Sequence, residues 1–216
     1  MKAIVLAGSK GIGKGITDSL KEISGINEVV STSSSDVDTS SIDEVKKFVN
    51  YQKQTDILVL NTGGPPAKDF YDITEEEWVK YFNQLFYSFI YILQNLEIND
   101  GGYIFLISSH QIKEPDEKMS LSVSYRIAIS SVLKLLTKKY AKRNISYINI
   151  APGPIGTDRL KNLVDNVEDF EKSLPMGRTG KVEEIGEFVK SIIEKEIKYL
   201  TGVTINFDGG HSSYVI

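Results

Sequence analysis

The chain has no cysteine, which excludes disulfides and thiolate chemistry. It has two histidines, His110 and His211, so imidazole chemistry has few candidates. It has no run of 18 apolar residues, and its N-terminus passes straight into an apolar strand pattern, so neither a membrane span nor a signal peptide is expected. It lacks a charge excess of either sign: the formal net charge of −4 supplies no basic field for nucleic acid. Nothing in the pattern assigns a metal site. What remains is an ordinary globular composition, 41% hydrophobic and 25% charged over 216 residues. That length fits one domain, 1–216, and a cytoplasmic protein is expected.

The most informative stretch is Ala3 to Ile16. An apolar run, Ala3 to Leu6, is short enough for a buried strand. It turns through Ala7, Gly8, Ser9, Lys10, Gly11, Ile12 and Gly13 into a helical pattern of Ile12, Ile16, Leu20 and Ile23, predicted over 12–24 with Gly25 as its C-terminal glycine. Strand, glycine-rich turn and helix make a phosphate site, because the glycines let backbone N–H groups approach an anion at the positive end of the helix.

The rest alternates. Strands are predicted at 28–32, 56–61, 102–108, 145–150 and 203–207, with a stub of a further strand at Asp36-Val37. Ser41 with Glu44, and Thr74 with Glu77, read as capping boxes opening helices to about Tyr51 and Leu96. The 74–96 helix is apolar on two stripes, Trp78, Phe82, Leu85, Phe89 and Leu93, and Val79, Phe86 and Ile90. Such a helix either lies deep in its own core or, the reading favoured here, faces its core on one side and a partner subunit on the other. A helix over 121–143 ends at Asn144, which suits a left-handed cap, and another spans 183–195. The fold class is therefore α/β, a doubly wound parallel sheet of about 6–7 strands with helices on both faces.

Several stretches, in order, resemble the short-chain dehydrogenase/reductase family, particularly its 3-oxoacyl-carrier-protein reductase-like members. They are Ser9-Lys-Gly-Ile-Gly13, Asp36-Val37, Asn61-Thr-Gly-Gly64, Ser108-Ser109, Pro152-Gly153, Gly177-Arg-Thr-Gly180 with Glu183-Glu-Ile185, and Gly202 to Gly210. The resemblance covers nearly the whole chain. It implies a Rossmann fold and an NAD(P)(H)-dependent oxidoreductase acting on a small carbonyl or alcohol. It also implies cofactor contacts from the glycine turn, Thr32, Ser33, Asp36, Val37, Asn61, Thr62, Gly63, Pro152, Gly153, Ile155 and Thr157, with 157–178 as a substrate lid. Leu160, Leu163, Val164, Phe170, Leu174 and Met176 are candidate walls under that lid. A homodimer or homotetramer through helices 74–96 and 121–143 follows from the same likeness.

The sequence departs from the family in four places. Ala7 stands where the first glycine is usual, and Thr62-Gly63 replaces Asn-Ala. The helix between the second and third strands is missing. The fourth departure is catalytic. Asn83 and Ser109 match the family's Asn and Ser, but the position 13 residues after Ser109, normally Tyr, is Ser122, and the Lys one turn on is Arg126. Arg126 stands 26 residues before Pro152, the spacing that the family gives its Lys, so the register holds. Arg126 can hold a ribose but cannot usefully deprotonate, and Ser122 is too weak an acid to replace a tyrosine. Tyr125 remains a candidate proton donor beside a packing role. His110 follows Ser109 and is a weaker candidate, while His211 is expected to be solvated. The readings that compete with an oxidoreductase are a cofactor-binding sensor or subunit and a non-redox enzyme. NADP(H) is favoured over NAD(H), because Val30-Ser-Thr-Ser-Ser-Ser35 lacks the acid that would bind a ribose 2′-hydroxyl, and Lys10 is basic.

Overall fold

The computed structural model describes residues 1–215. The elements are β1 (Lys2–Val5), α1 (Gly11–Lys21), β2 (Glu28–Ser31), α2 (Ile42–Gln52), β3 (Gln54–Leu60), α3 (Glu75–Phe82), α4 (Ser88–Asn95), β4 (Glu97–Ile107), α5 (Ser120–Ala141), β5 (Ser146–Pro152), α6 (Asp158–Lys161), α7 (Val167–Ser173), α8 (Val182–Glu194) and β6 (Val203–Phe207). The strands form one parallel sheet in the order β2-β1-β3-β4-β5-β6.

Period-two alternation sorts the sheet's side chains into two cores. Ile4, Leu6, Leu58, Leu60, Ile104 and Leu106 face α2, α4 and α5. Ala3, Val5, Ile57, Val59, Phe105 and Ile107 face α1 and α8. Burial on both faces is why the strands read as continuous apolar runs rather than alternating ones. From β1 the chain goes to β2 on one side and to β3 on the other. That reversal opens a crevice at the carboxyl ends of the strands, where open α/β sheets bind their ligands.

Helix α1 meets α8 backbone to backbone. A Cβ on Gly15 would stand 2.3 Å from Val182 O, and one on Gly186 would stand 2.3 Å from Gly15 O. The two glycines are what permit that approach.

Several expectations are corrected in detail. The described residues form six strands, because Asp36-Val37 is a turn. Val37 N donates to Ser33 O (3.0 Å), and the Asp36 carboxylate accepts from Ser33 N (2.8 Å). No helix separates β2 from this turn or the turn from α2, so the missing helix is absent as expected and its strand has gone with it. Helix α1 stops at Lys21, before Gly25, whose carbonyl accepts from the N-terminal ammonium (2.6 Å). Ser41 does not cap α2 through its side chain, and the Glu44 carboxylate is turned back to Asp38 N (2.8 Å), so neither half of that box is formed. The Thr74–Glu77 box is formed in both directions. Helix 74–96 carries a π-turn at Asn83–Tyr87 between α3 and α4. Strand β4 begins at Glu97, five residues before its apolar run, with an irregular register opposite Thr55 and Ile57. Asn144 takes the left-handed conformation, φ 54°.

Helix α5 has the length and mean hydropathy of a membrane span. Leu121, Ile129, Leu133 and Tyr140 nevertheless lie buried in the core, and Arg126 is buried among its inward residues. Ile127 and Leu135 are exposed.

Candidate active site

The turn after β1 is pinned from three sides. Ala7 N donates to Thr32 Oγ1 (3.2 Å), Ala7 O accepts from Asn61 Nδ2 (3.3 Å), and Gly8 O accepts from Thr17 Oγ1 (3.1 Å). Alanine at the family's first glycine position pays for its methyl group in backbone conformation: Ala7 has φ 47°, as Gly11 has φ 51°. Gly13 has no room for a side chain, since a Cβ would lie 2.1 Å from Ala7 O. The first N–H groups of α1 have no acceptor within the helix, so this closely packed turn offers donors to a pyrophosphate. Ser9 and Lys10 are exposed beside it. Thr32 and Val37 are buried at the β2 end, with Ser33 half-buried and Asp36 exposed. The donor set, the glycine cradle and the position at the switch in strand order fit a dinucleotide.

From this turn the crevice opens into a cavity of about 380 Å³ at the ends of β3, β4 and β5. Of the expected residues, the cavity brings together Ile12, Asn61, Thr62, Gly63, Ser109, Ser122, Arg126, Pro152, Gly153, Ile155 and Thr157. Leu160, Leu163, Val164 and Phe170 supply an apolar wall. Leu174 and Met176 do not. They line a separate cavity of about 360 Å³ beside Arg178 and Asp208.

Arg126 is the central charge. It is buried, with Nε donating to Ser122 Oγ (3.2 Å) and a terminal nitrogen donating to Ile107 O at the end of β4 (2.7 Å). Burial, and then the nearby positive charge of Arg159, pushes its pKa down to about 10, so it stays charged at neutral pH. Ser109 caps a short turn by accepting from Gln111 N (3.2 Å), which leaves its hydroxyl proton free to be donated. Thr62 is held by Thr39 (Oγ1 to Oγ1, 2.9 Å).

Two catalytic candidates stand elsewhere. The Tyr125 hydroxyl donates to Trp78 O (3.0 Å), and its ring meets Trp78 and Phe82 edge-on. It therefore joins α5 to α3, away from the cavity lining. Asn83 opens the π-turn, half-buried, and its carbonyl accepts from Ser88 N. The neighbouring Gln84 reaches the β3 loop instead, donating to Gly63 O (2.8 Å) and Thr62 Oγ1 (3.3 Å).

Sequence reasoning missed Gln84, Gly64, Arg159 and the contribution of the tail. Arg159 projects from α6 and donates to Gly64 O and Pro65 O (2.8 Å each). His110 also lines the cavity. Its Nδ1 lies 3.1 Å from Pro152 O, and burial lowers its pKa. Its ring meets that of His211 at 5.2 Å, so the exposed tail histidine closes one edge of the cavity. A one-residue offset within a helix, as between Asn83 and Gln84, has no sequence signal without the π-turn that creates it.

A family model described as enoyl-(acyl carrier protein) reductase matches residues 7–212. The 3-oxoacyl-[acyl-carrier-protein] reductase FabG of Chlamydia muridarum is 30% identical, with 96% of each chain covered. The NADPH-dependent reductase BacG of Bacillus subtilis is 27% identical over 72% of this chain and 66% of its own. A solved short-chain dehydrogenase family protein from Francisella tularensis superposes with a TM-score of 0.86 at 23% identity, covering 97% of this chain and 98% of that one. The sheet order, the glycine turn at its switch point and a match along almost the full chain agree, and the protein belongs to the short-chain dehydrogenase/reductase family of nicotinamide-dependent oxidoreductases.

Proposed function

We propose that this oxidoreductase reduces a carbonyl compound with NADPH, or oxidises the matching alcohol, through a site in which Arg126 takes the place of the family's lysine. The observation that carries this reading is the anchoring of Arg126. Fixed at Ile107 O and Ser122, its guanidinium meets the cavity where a nicotinamide ribose would lie. The cofactor, when bound, supplies the hydride. The chain's own groups orient the substrate oxygen through the Ser109 hydroxyl and stabilise charge developing on it through Arg126. Ser122 is no acid, Tyr125 is engaged by Trp78 and Asn83 stands outside the cavity lining, so the proton comes from water held at the Ser109 hydroxyl. Residues 157–178 act as the lid, with Leu160, Leu163, Val164 and Phe170 against the substrate.

NADP(H) is favoured over NAD(H). The Asp36 carboxylate is taken up by Ser33 N and Oγ, and Lys10 is free to meet a 2′-phosphate. The enzyme is a cytoplasmic homo-oligomer, where the dinucleotide pool is found. Calorimetric titration tests the cofactor assignment. NADPH should bind more tightly than NADH in the wild type and lose affinity in Arg126→Ala, whereas equal affinities would remove the role given to Lys10.

A further inference from the structure

The cavity is lopsided in charge. Arg126 and Arg159 both line it, and their four hydrogen bonds all go to neutral oxygens: Ser122 Oγ, Ile107 O, Gly64 O and Pro65 O. Each guanidinium has five N–H donors, so each keeps donors to spare. The carboxylate on the cavity wall, Asp116, accepts from Lys118 N (2.8 Å) at the start of a 3₁₀ turn. Arg126 is buried and Arg159 exposed beside it, neither bonded to a carboxylate, so the pair presents spare charged donors that suit an anion.

The pair is also built into the backbone. A Cβ on Gly64 would stand 2.6 Å from Arg159 Cζ, so the guanidinium lies against that glycine, and Thr157 caps the helix that carries Arg159. Facing the two cations is the apolar wall of Leu160, Leu163, Val164 and Phe170.

We infer that Arg159, with the charge of Arg126 beside it, seats a carboxylate of the substrate, and that the substrate is an oxo acid: a carbonyl compound with a carboxylate at one end and an apolar chain at the other. The carbonyl part of this statement rests on the reductase reading above; the carboxylate seat does not. Cofactor phosphates are the other source of an anion. They belong to the glycine turn, whose Gly11 packs beside Thr157 at the start of the helix that carries Arg159, and the experiment separates the two.

The test is calorimetric titration of the NADP⁺-saturated protein with straight-chain and branched 2-oxo and 3-oxo acids of increasing length, beside their methyl esters. At least one acid should bind about 10–100-fold more tightly than its ester, the worth of one or two hydrogen bonds between charged groups. Arg159→Gln should remove that difference while keeping NADP⁺ affinity, and Arg159→Lys should restore part of it. Equal binding of acids and esters, or no binding of any acid, overturns the inference in the wild type alone. So does an Arg159→Gln protein that loses NADP⁺ instead of the acid. Acid binding with no oxidation of NADPH, when the same acids are offered with NADPH in place of NADP⁺, keeps the carboxylate seat and removes the reductase reading. Turnover of esters as fast as acids does the reverse.

Discussion

Tyr125 and Arg126 are adjacent in the chain and serve different ends. Arg126 turns into the cavity, while Tyr125 turns back to Trp78 on α3. Tyr125→Phe removes one hydrogen bond to a backbone carbonyl and no group from the cavity. It should lower stability by about 1 kcal/mol and cut turnover by less than fivefold. A general acid is worth roughly 10²–10⁴ in rate, so a loss on that scale with unchanged cofactor affinity would return Tyr125 to the chemistry. Steady-state rates beside a urea melt decide it. The resemblance, read through the family's spacings, grouped Ser109, Ser122 and Arg126, and the cavity brings the three together. It did not identify Arg159, which reaches the cavity from another helix and meets Gly64 only in the folded chain.

At the scale of elements, the α1–α8 contact is the least forgiving. A side chain on Gly186 would overlap Gly15 O and Ser19 Oγ, the latter at 2.5 Å. Gly186→Leu should therefore cost about 1–3 kcal/mol from overpacking, measured by urea denaturation, and it should weaken cofactor binding because α1 carries the phosphate turn. An unchanged melt would mean that the two helices separate at little cost. Most elements were legible, since apolar runs and capping boxes report local geometry. The π-turn at Asn83–Tyr87 and the early start of β4 were not. Both arise from fitting a helix and a strand against neighbours already in place, and the local pattern of Asn83 or Glu97 carries no mark of that fit.

For the molecule as a whole, Val79 and Phe82 of α3, Tyr87 of the π-turn, and Ile127 and Leu135 of α5 are exposed. An apolar surface of that extent is expected to be covered by a second copy, and light scattering at micromolar concentration should report a dimer or tetramer. A monomer would contradict that expectation. The overall architecture was readable because a parallel sheet with short connections admits few topologies. The substrate was not, because the cavity is assembled from five separate segments of chain. The most direct test of the account is consumption of NADPH by the purified protein, followed by nicotinamide absorbance, across ketones, aldehydes and oxo acids. The account predicts carbonyl-dependent consumption that falls together with NADPH affinity in Arg126→Ala. Tight NADPH binding with no consumption on any carbonyl, in either protein, would contradict it.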